Sequence, residues 1–188
     1  MIGRQHLLLV CALLAPAAAV AQPMASEHAV TAQTLDGTTI TVEYYRPVAR
    51  GRELFGALVP WERPWTPGAN WATTIDVDHD VQIDGRPLPK GKYSIWALPR
   101  ADQWTLLFDR RARVFHTQGP NAAEEQLRVT ARPTTGPHAE LLTWSFPAAA
   151  RDTATLQLQW GTTVVPLRIV VTSTRVGSDT ASGVRRPE

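Results

Sequence analysis

The chain has 188 residues, a formal net charge of +2, 44% hydrophobic and 19% charged residues, and a single cysteine, Cys11. That length suits one domain, and a nearly neutral balance without a basic block argues against nucleic acid as the partner. Because Cys11 lies in a leader-like start, the rest of the chain has no thiol for a disulfide, thiolate catalysis or a cysteine-ligated metal.

The opening residues, MIGRQHLLLVCALLAPAAAVAQPMA, combine a cationic start at Arg4, an apolar run from Leu7 to Leu14 and a small-residue site at Ala19-Val20-Ala21. This is the pattern of a secretory signal peptide, expected to span residues 1–21, with cleavage after Ala21 and delivery to the periplasm or the extracellular space. Val10 stands directly before Cys11, where a lipoprotein signal needs a small residue, so no lipid anchor is expected. No later segment approaches the ~20 uninterrupted apolar residues of a spanning helix, and the mature chain is expected to carry no integral membrane segment.

From His28 onward the pattern is β. The segment HAVTAQTLDGTTITVEYYRP places Asp36-Gly37 between two runs rich in threonine and valine, a strong hairpin signal. Next, WATTIDVDHDVQIDGRPLPKGKYSIWALP has an alternating run, turns at Asp84-Gly85 and Pro89-Lys90-Gly91, and a second alternating run. In QWTLLFD, strand geometry puts Trp104, Leu106 and Phe108 on one face. Four more strands are expected at EEQLRVTARP, AELLTWSFP, TATLQLQW and TTVVPLRIVV, with Leu142/Trp144/Phe146, Leu156/Leu158/Trp160 and Val165/Leu167/Ile169 each sharing a face. Pro166 inside the last run marks it as an edge strand or a bulge.

No helical stripe appears. Eight to ten short strands at this spacing predict an all-β, single antiparallel sandwich over residues 22–173, with a barrel as the alternative. Residues 174–188 carry almost nothing to bury and are expected to form a disordered tail.

The candidate chemistry gathers in RPWTPGANWATTI, residues 63–75. Gly68 permits a positive φ or a close backbone approach, and Asn70 can bond nearby backbone, so both suit a tight turn. Trp61, Trp65 and Trp71 fall within eleven residues; one or two are expected to plug a sandwich end. Any left exposed offers a stacking platform for a sugar ring or for an aromatic or proline-rich ligand. Arg46, Arg50, Arg52 and Arg63 flank LFGALVP, where a guanidinium could grip a carboxylate or phosphate, or pair with Glu43, Glu53 and Glu62. DVDHD, residues 76–80, lacks the glycine and distal glutamate of a calcium loop; a solvated turn is expected there, with no metal and no cofactor. His116 in RVFHTQGP is the best placed acid or base, although the chain has neither a Gly-x-Ser-x-Gly elbow nor a His-Glu-x-x-His helix.

Tyr44 with Arg46-Pro47, Gly51-Arg52, Phe55-Gly56, Val59-Pro60, Trp65, Gly68-Ala69-Asn70 and Ala72-Thr73-Thr74 follow one another in a specific order, continued by Leu88-Pro89, Gly91, Tyr93-Ser94 and Trp104-Thr105. In order and spacing these fragments resemble the domain-of-unknown-function family numbered 2911, and the match extends more loosely from Glu124 to Val171. The resemblance implies an exported all-β domain and supplies no catalytic residues. It also marks two departures, since family members commonly carry arginine and glutamate where this chain has Thr66 and Trp71, which implies a more apolar site here.

Three functional expectations follow. The favoured one is a non-catalytic binding domain for a glycan, peptide or small anionic ligand in the cell envelope, using Arg46, Arg52, Trp65, Asn70 and Trp71. The second is an envelope hydrolase with His116 or a carboxylate as base. The third is a structural or assembly partner of another envelope protein.

Overall fold

The computed structural model describes residues 26–171, so the expected leader and tail lie outside the described residues. Ten strands run through them: β1 (Glu27–Leu35), β2 (Thr38–Arg46), β3 (Thr74–Val77), β4 (Val81–Ile83), β5 (Arg86–Leu88), β6 (Gly91–Leu98), β7 (Trp104–Asp109), β8 (Glu125–Ala131), β9 (Thr134–Ala149) and β10 (Thr153–Val171). They form a six-stranded sheet, β1-β2-β3-β6-β7-β8, and a four-stranded sheet, β5-β4-β10-β9, all neighbours antiparallel. The sheets do not close on each other, so the architecture is the expected sandwich rather than a barrel. Among the described residues no helix is long and apolar enough to cross a membrane.

The hairpin signals act as physics requires. Asp36 and Gly37 take φ values of 43° and 83°, and Asp84 and Gly85 take 47° and 76°, the left-handed pair that a two-residue turn needs to match strand twist. The alternating run after Trp71 is not one strand, however. It breaks at Asp78-His79-Asp80, so β3 stays in the large sheet while the β4–β5 hairpin crosses to the small one. The turn is held by its acids: Asp78 accepts the Thr39 N–H at 2.8 Å, and Asp80 accepts the Lys90 N–H at 2.8 Å.

The two C-terminal runs, expected as separate strands, form the single strand β10, kinked by register shifts on either side of Gly161. Gly161 adopts φ +58°, and a Cβ there would come 2.8 Å from Leu54 Cδ1, so glycine serves both bend and packing. Pro166 is not on an edge strand, because β10 lies between β4 and β9. It is tolerated because pairing with β9 stops at Val164 and pairing with β4 begins at Ile169, leaving no ladder donor to lose at that position.

The core lies between the sheets. Ile40, Val42, Ile75, Ile95, Leu106 and Phe108 from one sheet meet Leu142, Trp144, Leu156, Leu158, Trp160 and Leu167 from the other, all essentially inaccessible. Each tryptophan here removes about 200 Å² of apolar surface from water, worth up to about 5 kcal/mol before chain entropy is charged against it.

The centre of the large sheet is buried on its second face as well. Trp96 and Leu107 point away from the main core and pack with Ala72 and Val114 in a smaller cluster, beneath the segments that precede β3 and follow β7. Asp109 fastens the second of these segments. Only 1% exposed, it accepts from the Arg111 guanidinium, Nη2 bonding Oδ2 at 2.6 Å and Nε shared between Oδ1 and Oδ2 at 3.1 and 3.3 Å, and it accepts backbone N–H bonds from Arg111 and Asn121 at 2.8 Å each. Burial pushes its carboxyl pKa up, but the Arg111 and backbone bonds outweigh burial and hold it below the ordinary range.

The folded-state pKa of Asp109 is therefore depressed relative to an unfolded value of about 3.9. Its contribution to stability is complete above that value and is lost as pH falls through the folded pKa. Urea unfolding of wild type and Asp109→Asn as a function of pH should show the variant about 3 kcal/mol less stable at neutral pH, with a shallower loss in acid. Identical acid slopes in the two proteins would contradict this assignment.

Candidate functional site

The segment 63–75 is first of all architecture. Trp65 pairs with Ala97 of β6 through reciprocal N–H···O bonds of 2.9 and 2.7 Å, and so continues the sheet beside β6 where β3 has not yet begun. Its ring lies parallel to that of Trp160 at 6.1 Å and edge-on to Phe55 at 6.0 Å, closing one end of the sandwich. Thr66 Oγ1 donates to the Ile95 carbonyl at 3.0 Å and accepts the Thr73 N–H at 2.9 Å, wholly buried. The Pro67 carbonyl accepts from Thr73 Oγ1 and from Trp144 Nε1 of the opposite sheet, at 2.8 and 3.0 Å. Gly68 has no positive φ; what it provides is closeness, since a Cβ would meet Thr73 Oγ1 at 2.6 Å and the Tyr45 carbonyl at 3.3 Å.

Beyond Gly68 the chain turns outward. Asn70 takes φ +59°, and its carbonyl accepts the His116 N–H at 3.0 Å while the Ala72 N–H bonds the Val114 carbonyl at 2.8 Å. These bonds bring Trp71 opposite Phe115, their rings edge-on at 5.4 Å, and hold the Arg113 guanidinium over the Trp71 ring at 4.4 Å.

Beside this lip, on the outer face of the large sheet, opens a groove of about 450 Å³. Trp71 and Arg113 line one side; Glu43 and Tyr45 of β2, Thr74 of β3 and Lys92 of β6 line the other. Strand parity explains the second set, because each alternates with an inward residue: Val42, Tyr44, Ile75 and Tyr93. Register sets Glu43, Thr74 and Ser94 side by side across three strands. Lys92 Nζ donates to Glu43 Oε2 at 3.0 Å, and His28 Nε2 lies 3.0 Å from Glu43 Oε1. These two bonds, that of Lys92 first, hold the Glu43 carboxyl below its usual range. Arg113 makes no ion pair with a carboxylate among the described residues. Thr74, only 7% exposed, has an Oγ1 with no hydrogen-bond partner, and so has the buried Nδ2 of Asn70. Unpaired buried groups of this kind are uncommon.

The residues singled out in the sequence are therefore split. Asn70, Trp71 and His116 come together at the lip. His116 is exposed there, its ring 4.7 Å from Phe115 and paired with no carboxylate among the described residues. Trp65 belongs to the sandwich end. Arg46 shares the inward parity of Tyr44 and reaches across to β9, donating to the Leu142 carbonyl at 3.4 Å and Thr143 Oγ1 at 3.3 Å. Arg52 donates to the Ala49 and Val48 carbonyls at 2.9 and 2.6 Å, staying within its own loop. None of Arg46, Arg50, Arg52 or Arg63 pairs with Glu43, Glu53 or Glu62; Glu62 instead pairs with Arg100 at 2.9 Å. Among the described residues no three histidine or acidic side chains converge as a metal site.

Sequence reading missed Tyr45, Thr74, Lys92 and Arg113 as groove residues. The period-two alternation could have placed the first three on one face, but nothing local says which loop would lie beside them.

The fold and groove define an all-β sandwich domain with an open, mixed-polarity recess on the outer face of its larger sheet. A family model described as "Protein of unknown function (DUF2911)" matches residues 26–169, and the chain belongs to that family. Comparison with curated proteins and with solved structures finds no match.

If Thr66 is an architectural strut, Thr66→Val leaves the Thr73 N–H and the Ile95 carbonyl unpaired and should destabilise by about 2 kcal/mol in urea unfolding. A loss below about 0.5 kcal/mol would show that the segment is not held this way.

Proposed function

We propose that this chain is a non-catalytic binding domain that receives a glycan, a peptide or a small anionic ligand in the outer-face groove, outside the cytoplasm. The observation that carries this reading is the convergence of Trp71 and Arg113 with Glu43, Tyr45 and Lys92 around one open recess. Its volume lies within the range of small-ligand sites, and its lining combines ring surfaces with a few charged groups, the usual recipe for oriented binding. The leader-like start of the chain supports the external location.

Binding needs no machinery beyond this. Hydrolysis would call for a base oriented beside a nucleophile or a water, and the exposed His116 ring lies 4.7 Å from Phe115 and pairs with no carboxylate among the described residues. The groove reading therefore shifts the weight from Arg46, Arg52 and Trp65, which brace the fold, to Trp71 and the residues that line the recess with it.

A thermal-shift screen against sugars, peptidoglycan fragments, amino acids, short peptides and phosphates tests this. A ligand at a hundred times its dissociation constant should stabilise the protein by about 2.7 kcal/mol. The stabilisation should vanish in Trp71→Ala and persist in Arg52→Ala. A ligand whose effect survives Trp71→Ala and Tyr45→Ala would place binding elsewhere and overturn the reading.

A further inference from the structure

Resting on that reading, we infer that the groove takes a sugar ring bearing a carboxylate. Charge is the first argument. Lys92 and Arg113 supply two cations against the single carboxylate of Glu43, and Lys92 is already bonded to Glu43 at 3.0 Å. Arg113 is left as the cation without a carboxylate partner among the described residues. Its guanidinium, held over Trp71, keeps a planar fork of donors for a carboxylate. One ligand carboxylate gives Arg113 the partner it lacks. A phosphate monoester, with nearly two negative charges, would set the excess against Glu43.

Shape and hydrogen bonding narrow the class further. Tyr45 and Trp71 present aromatic surface to the same recess, the kind of surface on which the apolar face of a pyranose packs. Sugar hydroxyls both donate and accept, so they can donate to the Glu43 carboxylate and accept from Lys92 Nζ, which has donors beyond the one given to Glu43. An extended peptide is disfavoured, because β2, β3 and β6 lie inside the sheet and the groove offers no unpaired strand edge to bind along.

Isothermal titration of the purified chain at low salt provides the test, with galacturonate and N-acetylmuramate each run beside its neutral counterpart, galactose or N-acetylglucosamine, and with glucose 6-phosphate. At least one acidic sugar should bind about tenfold or more tightly than its neutral counterpart. Arg113→Gln should erase that margin, and in the wild type the margin should shrink as salt rises. Equal affinity for the neutral sugar, or tighter binding of the phosphate, with either lost in Trp71→Ala, overturns the acidic-sugar assignment while leaving the binding groove intact. Acidic-sugar binding unaffected by Arg113→Gln, Tyr45→Ala and Trp71→Ala overturns both. Failure of both acidic sugars to bind overturns the assignment, and the wider ligand screen then decides on the groove.

Discussion

The central strands of the large sheet carry apolar side chains on both faces, and much of the molecule is arranged to satisfy them. In β6, Ile95 and Ala97 face the main core while Trp96 faces away; in β7, Leu106 and Phe108 face inward and Leu107 outward, all buried. An antiparallel sheet can leave one face to water only if that face is polar. Here it is not, so the connections before β3 and after β7 fold over it and supply Ala72 and Val114 as a second, thin core. The price of pulling backbone onto a sheet face is that its polar groups need partners. They find them in each other, through the bonds linking residues 70–72 to 114–116, and in the buried carboxylate of Asp109.

The groove is where this cover stops. The loops reach as far as Trp71 and Arg113, while the outer residues of β2 and the start of β6, namely Glu43, Tyr45 and Lys92, are polar or amphipathic and remain in contact with solvent. A recess between a rigid sheet and a pinned loop is a favourable place for recognition, since both walls are held by hydrogen bonds independent of any ligand. The same economy explains the proline- and tryptophan-rich segment that stands out in the sequence. Its first half, with Trp65, Thr66, Pro67 and Gly68, seals and ties the two sheets. Its second half, from Asn70 to Ala72, passes over the outer face and forms the lip.

Strand positions were largely legible from residue types, because period-two alternation and Asp-Gly turns are local properties of the chain. The Asp36-Gly37 hairpin and the faces of Trp104/Leu106/Phe108 and Leu156/Leu158/Trp160 illustrate this. The arginines were harder. Arg46 and Arg52 looked like anion grips, yet their donors are used on carbonyls and a hydroxyl that only the folded chain brings near. Pro166 was informative about hydrogen bonding but not about strand order, since a gap between two ladders suits proline as well as an edge does.

By itself, then, the sequence determined the class of fold, the turns, the inward faces and the family, all of which depend on residues close together in the chain or on an ordered set of short fragments. Tertiary structure alone decided which sheet each strand joins, that β4 and β5 cross over, and that Trp71 and Arg113 meet Glu43, Tyr45 and Lys92. The physical reason is separation: β2, β3, β6 and the loop after β7 are joined by cross-strand hydrogen bonds and by the burial of Trp96 and Leu107. No local pattern encodes which distant segment satisfies those demands.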